Sequence, residues 1–316
     1  MLSILKSGLD LIASGFVFLM FPILHVITKY RLSLPRLQGL LDNLGIQIRS
    51  THYYEPTYAA SDLPADTKSI RNLPGINFNE AQQLAMLSQF RYSDELNLIP
   101  LHKPKDDQFG YLNNMYSFGD AEIYYSIIRL NKPKRIIEIG SGNSTLMAQL
   151  AIAKNRVDDP SYHCDQICIE PYEMAWLEST GVTVIRERVE TIDLATFDVL
   201  EAGDILFIDS SHVIRPWGDV LREFNEIIPR VVAGVYIQVH DIFTPFDYPE
   251  HWLRRERRLW NEQYLLESFL SFNSRFEVIC AGNWLKHKHW DEFCAAFPMM
   301  KVNPNQVPGA FWFRAK

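Results

Sequence analysis

Apolar and polar positions follow two regimes along this chain. From Lys134 onward, apolar runs of five to nine residues recur between longer mixed segments: RIIEI (135–139), QICIE (166–170), VTVIR (182–186), DILFID (204–209), VVAGVYIQV (231–239), FEVICA (276–281) and AFWFRA (310–315). Short runs of this kind, rich in Ile, Val and Phe, read as strands buried on both faces. The stretches between them read as helices at 143–155, 172–179, 216–228 and 255–272, with HWDEFCAAF (289–297) before the last run. Seven strands interleaved with helices predict an α/β, doubly wound, mostly parallel seven-stranded sheet over residues 118–316.

Upstream, residues 33–117 read as a helical and irregular cap. In NFNEAQQLAMLSQF, Asn77 or Asn79 is placed to cap a helix whose apolar face is Ala81, Leu84, Leu87 and Phe90. DAEIYYSIIRLN (120–131) predicts a second helix, with Asp120 as its cap. The first 32 residues differ again. LIASGFVFLMFPILHVIT (11–28) holds eighteen residues without a formal charge, close to the roughly 20 apolar residues that cross a bilayer. No small-x-small cleavage site follows, which speaks against a signal peptide. Lys29, Arg31 and Arg36 outweigh Lys6 and Asp10, so the charge bias places the downstream domain on the cytoplasmic side. Residues 1–32 are therefore expected to form a membrane-anchor helix. Pro22 and His25 keep open a helix lying in the interface rather than spanning it.

Composition adds constraints. The chain has 316 residues, 47% hydrophobic and 22% charged, enough for one substantial core and an accessory segment. A net charge of −7 gives no reason to expect nucleic-acid binding. Arg254, Arg255, Arg257 and Arg258, interrupted by Glu256, read as a solvated helix face, with docking to anionic lipid or sugar phosphate as the alternative. Cys164, Cys168, Cys280 and Cys294 lack zinc-site spacing. Two of them sit in predicted strands, so reduced core thiols in a reducing compartment are expected.

The chemistry concentrates where strands end. RIIEIGSGNSTLMAQLA places Gly140-Ser141-Gly142 between the first strand and a helix, a turn that lets a ligand approach the backbone at a helix N-terminus. Thr145 stands where a dinucleotide fingerprint has its third glycine. Glu138 precedes the loop. Glu170 ends the second strand, where a carboxylate can accept both ribose hydroxyls of an adenosine cofactor.

IIEIGSGNST, followed by CIEP, DILFIDSSHV and VYIQVHD, resembles the class I S-adenosylmethionine-dependent methyltransferases over residues 118–245. The nearest branch holds sugar and natural-product O-methyltransferases and relatives of the cephalosporin-hydroxylase type. The resemblance implies a Rossmann-like sheet and an S-adenosylmethionine site. In it Gly140, Ser141 and Gly142 line the methionine end, Glu138 supports the loop, Glu170 holds the ribose, and Asn143, Ser144 and Asp209 are further cofactor-binding residues. The chain departs from the family pattern at Ser210, after Asp209, and in VVAGVY, which has a single glycine.

Asp209 and the pair His240-Asp241 end the fourth and fifth strands, so both face the ligand edge. Methyl transfer to oxygen needs alignment and loss of a proton. His212 and His240 suit a base. Asp209, His240 and Asp241 resemble the metal triad of cation-dependent O-methyltransferases, for Mg²⁺ or Mn²⁺. A hydrogen-bonded strand end is the third option for His240. Phe243, Phe246, Tyr248 and Trp252 are candidates to shape the acceptor pocket. The aromatics of THYYEPTY (51–58) suit a lid or a packing surface. His287 and His289, in NWLKHKHW, read as a surface loop running into a helix. The expected function is a membrane-associated O-methyltransferase facing the cytoplasm. Its acceptor would be a small molecule, glycan or lipid-linked sugar. A catalytically silent scaffold and a nicotinamide-dependent oxidoreductase are the alternatives.

Overall fold

A computed structural model describes residues 2–30, 32, 34–49 and 51–316, so Arg31 of the charge bias lies outside the described residues. The chain divides into two compact units, Met1–Ala65 and Asp66–Lys316.

The first unit holds α1 (Leu2–Tyr30) and α2 (Pro35–Asp42). Over Leu5–Tyr30, α1 has a mean hydropathy of 2.1 and buries none of that surface within the protein. Pro22 lies inside the helix. At 1.5 Å per residue the helix is long enough to cross a hydrocarbon core of about 30 Å.

The second unit begins with α3 (Glu80–Leu87), α4 (Ser93–Asn97) and α5 (Asp120–Asn131). It then runs β1 (Arg135–Ile139), α6 (Asn143–Asp158), β2 (Asp165–Ile169), β3 (Thr183–Ile185), β4 (Ile205–Ile208), α7 (Asp219–Arg222) and β5 (Tyr236–Val239). The chain closes with α8 (Glu262–Leu270), β6 (Phe276–Ala281), α9 (Gly282–Lys288), α10 (Trp290–Ala296) and β7 (Phe311–Ala315). Among the described residues, seven strands form one sheet in the order β3-β2-β1-β4-β5-β7-β6. Only β7 runs antiparallel, paired with both β5 and β6. Its centre (Ile136, Ile137, Leu206, Phe207, Ile237) is fully buried, as the continuous apolar runs require. The sheet order reverses between β1 and β4, and that switch point is where doubly wound sheets open a crevice at their carboxyl edge.

The Rossmann-like, mostly parallel sheet matches the sequence expectation, while several boundaries shift for local reasons. The 231–239 run is a strand only from Tyr236, because Gly234 turns at φ +91° and pairs with Gly203 across a loop. The 172–179 segment is bent by Met174 at φ +56° and keeps only a 3-10 turn at Leu177–Thr180. The 216–228 helix starts at Asp219 and widens into a π turn at Glu223–Ile227. The 255–272 helix loses its first seven residues, since Arg257 adopts φ +53°. Arg254 and Arg255 lie on a π turn at Trp252–Glu256, while Arg257 and Arg258 fall beyond it, so the four arginines do not share one helix face. Asp120 is the first helical residue of α5, after an N-cap at Gly119. All four cysteines are buried and free.

Candidate active site

Gly140 leaves β1 at φ +77°, and a Cβ there would lie 1.9 Å from the carbonyl oxygen of Asp209. Its bare backbone thus lets the exits of β1 and β4 meet. Gly142 is different: a Cβ would make only ordinary contact with Met174, 3.4 Å away. Packing does not demand glycine there, and its absence of side chain opens the floor in front of α6. Beneath the loop, the Gly142 N–H donates to the Thr145 hydroxyl (3.1 Å), which donates to Glu138 (2.6 Å). Glu138 also accepts from Tyr124 (3.1 Å), Gln166 (3.2 Å) and Cys168 (3.5 Å). Burial nonetheless pushes its carboxyl up to about 7. Glu138 thus lies under the loop as a brace and does not line the cavity. Thr145 occupies the third-glycine position because its hydroxyl couples loop to brace.

Above the loop opens a cavity of about 860 Å³ lined by Gly140 to Ser144, Glu170, Asp209, His212, His240 and Asp241. Apart from Glu138, every residue expected to bind the cofactor or a metal or to act as a base shares this cavity. Glu170 spends Oε1 on the N–H groups of Tyr172 and Glu173 (both 2.9 Å), while Oε2 accepts only a long bond from Ser141 N (3.4 Å). The Ser141 hydroxyl and the Asn143 amide oxygen are buried without a hydrogen-bond partner. Two buried polar atoms and one carboxylate oxygen, all on residues that line the cavity, thus lack a strong partner.

At the far wall, carboxylates surround two imidazoles. His240 Nδ1 lies 3.4 Å from Asp209 and 3.8 Å from Asp241, yet makes no hydrogen bond. Its Nε2–H points to Asp120 at 3.4 Å. Asp120 is itself fixed by the N–H of Ala310 at 2.7 Å. His212 Nε2 lies 3.3 Å from Asp209 and 3.6 Å from Asp241, while its Nδ1–H donates to Glu262 at 2.9 Å. Burial disfavours charge on both rings, but the carboxylates override it and hold both well above the ordinary histidine value. Burial likewise opposes charge on Asp209, and the two histidines reverse that, holding it below the usual carboxylate range. Asp241 is raised, chiefly by burial.

One donor atom each from Asp209, His240 and Asp241 falls within 4.8 Å of the others. The unbonded His240 Nδ1 facing two carboxylates, with Asp120 behind the other ring nitrogen, fits a divalent cation and the carboxylate support its histidine ligands usually have.

Of the aromatic candidates after Asp241, only Trp252 lines the cavity. Phe243 and Tyr248 are buried in the interior, and Phe246 packs on His287 (4.5 Å). His287, on α9, bonds the Asn283 carbonyl, and His289, between α9 and α10, bonds Glu80. The 51–58 aromatics belong to the first unit. Sequence reasoning missed Trp260, Glu262, Arg258 and the ligand-side role of Asp120. The Asn261-Glu262 start of α8 was a legible capping signal, hidden by extending that helix back to 255. Arg258 stands between the indoles of Trp252 (4.1 Å) and Trp260 (4.4 Å) at the cavity wall.

Residues 137–242 match the family described as "Methyltransferase domain". The matched segment spans β1 to the exit of β5 and so contains the glycine loop, Glu170, Asp209, His212, His240 and Asp241. This part of the chain is similar to a methyltransferase domain. An uncharacterized protein of Archaeoglobus fulgidus is 28% identical over 169 residues, 49% of this chain and 74% of the relative. The crystal structure of the O-methyltransferase from Bacillus cereus in complex with SAH aligns with a TM-score of 0.36 at 11% identity, covering 73% of this chain and 91% of that one. That likeness is too low to carry an inference.

Proposed function

We propose that the protein transfers the methyl group of S-adenosylmethionine to a hydroxyl of a small molecule, glycan or lipid-linked sugar, assisted by a divalent cation. The observation that carries this reading is the shared cavity: the cofactor-type loop and the acidic wall both line it.

Gly140 to Ser144 would hold the methionine end through the free N–H groups at the start of α6 and the unbonded Ser141 and Asn143 atoms. Glu170 Oε2 would accept from the ribose. Asp209, His240 Nδ1 and Asp241 would hold Mg²⁺ or Mn²⁺. When bound, such a cation supplies acidification of a coordinated hydroxyl. A cation held by Asp209 and Asp241 would offset the carboxylate charge that keeps His212 protonated, and His212 would then serve as the base: its Nε2 faces Asp209 and Asp241, while its Nδ1 is committed to Glu262. Of the two candidate histidines, His240 suits ligation because its second nitrogen is backed by Asp120. Neither the glycine loop, with Thr145 at its third position, nor the acidic wall favours a nicotinamide cofactor.

The exposed apolar surface of α1 supports membrane attachment, with the methyltransferase domain on the cytoplasmic side by the charge of the flanking lysine and arginines. A lipid-linked acceptor would suit that placement.

Transfer from radiolabelled S-adenosylmethionine to a detergent extract of membrane lipids and glycans tests the reading, with and without chelator. Chelation should abolish incorporation and Mg²⁺ or Mn²⁺ restore it. Asp241→Asn should lower the rate by 100-fold or more, in line with about 3 kcal/mol for one lost charged ligand. Incorporation indifferent to chelator and to Asp241→Asn would remove the cation and leave a metal-free base.

A further inference from the structure

His212 is held in an unusual way. Its backbone sits at φ +60°, a left-handed conformation that a non-glycine residue keeps only when its surroundings fix it. Those surroundings come from a segment about fifty positions away, Trp260-Asn261-Glu262, at the start of α8. The N–H groups of Asn261 (3.0 Å) and Glu262 (3.3 Å) both donate to the His212 carbonyl. The Asn261 side-chain oxygen accepts the Ile214 N–H at 2.6 Å. The indole of Trp260 lies against the imidazole with centroids 4.3 Å apart, and Glu262 takes the Nδ1–H at 2.9 Å. Backbone, ring face and ring nitrogen are thus each held by a different group of one tripeptide.

Glu262 has no exposed surface. Its other carboxylate oxygen is buried without a hydrogen bond, as is one oxygen of the equally buried Glu223. Burying a carboxylate costs several kcal/mol unless it is well paired, and among the described residues the only side chain bonded to Glu262 is His212. An apolar residue in the first turn of α8 would stabilise the core more. Stability therefore does not account for a glutamate here, whereas orientation of the imidazole does.

We propose that Glu262 is a positioning residue for methyl transfer, the key contact of a Trp260-Asn261-Glu262 clamp that commits His212 Nδ1 as donor and turns Nε2 toward Asp209 and Asp241. The clamp rests on the reading of His212 as the base. It adds that the base is oriented from α8, outside the segment that matches the methyltransferase domain (137–242). Fixing Nδ1 on Glu262 leaves Nε2 as the nitrogen that faces the cavity, and loss of such an orientation is known to be costly for histidine bases.

The test reads the ring directly. Full-length protein labelled with ¹⁵N-histidine in detergent micelles gives long-range ¹H–¹⁵N spectra, with His212→Gln to assign the signal. The clamp requires a protonated Nδ1 whose hydrogen-bonded proton is downfield and slow to exchange, and Glu262→Gln must shift it upfield. An unprotonated or freely exchanging Nδ1 in the wild type overturns the proposal, whatever the activity. Kinetics with labelled S-adenosylmethionine and catechol as the hydroxyl probe then separate positioning from folding. Glu262→Gln should lower kcat by about 100-fold with KM for the donor unchanged, and Glu262→Asp, which keeps the charge, should recover part of the loss. An unchanged kcat in Glu262→Gln, or a loss that appears only as a raised donor KM, overturns it as well. A wild type that binds donor yet transfers nothing counts against the methyl-transfer reading, while the ring spectrum still decides the clamp.

Discussion

Two glycines of the same loop make opposite demands. A Cβ at Gly140 would meet the Asp209 carbonyl at 1.9 Å and would sit at a positive φ, so Gly140→Ala must push β1 and β4 apart at their exits. It should destabilise the domain by more than about 1 kcal/mol, seen as a lowered thermal midpoint. Gly142 meets nothing closer than Met174 at 3.4 Å. Gly142→Ala should keep the wild-type midpoint and weaken only donor binding. Equal loss of stability in both would mean that the second glycine serves packing after all. This contrast was half legible: Gly-x-Gly after an apolar run marks the turn, but only the distance to Asp209 shows which glycine the fold requires. Glu170, Asp209, His212, His240 and Asp241 were likewise legible, because strand ends in such a sheet share an edge. Glu262 and Asp120 were not, since a carboxylate at a helix start reads as a capping or dipole contact until the tertiary fold brings a histidine to it.

Glu138 ties four elements together: β1, which carries it, α5 through Tyr124, α6 through Thr145, and β2 through Gln166 and Cys168. Burial raises its carboxyl from 4.5 to about 7, which links this junction to pH. Between those values the native state keeps a proton that the unfolded chain has lost. The stability gained is full below the lower value, falls as pH rises through the window and stays flat above it. The difference is worth up to about 3 kcal/mol. Glu138→Gln should remove that slope from a series of denaturant melts across the window; an unaltered slope would assign the pH dependence elsewhere. At this scale the strands were the most readable elements, with β1 and β6 falling where their apolar runs do. Helix starts were less so. Single residues at positive φ, Met174 before the 3-10 turn and Arg257 before α8, interrupt patterns that apolar spacing alone carries through.

For the whole molecule, the sheet order β3-β2-β1-β4-β5-β7-β6 places the glycine loop and the acidic wall on adjacent strand exits, β1 beside β4 and β4 beside β5. Alternation of strands and helices predicts a parallel sheet but not which strands neighbour one another, and the site depends on that adjacency. The apolar N-terminal helix was plain in the sequence; its relation to the acceptor is a matter of chemistry in the second unit. The central claim is that this cavity binds S-adenosylmethionine across Gly140–Ser144 and Glu170. Isothermal titration calorimetry of the full-length protein in detergent, with and without Mg²⁺ or Mn²⁺, tests it most directly. Saturable one-to-one binding, weakened about 10-fold or more in Glu170→Ala by loss of a charged hydrogen-bond acceptor, is the expected result. No binding under any of these conditions, or an affinity that Glu170→Ala leaves unchanged, would contradict it.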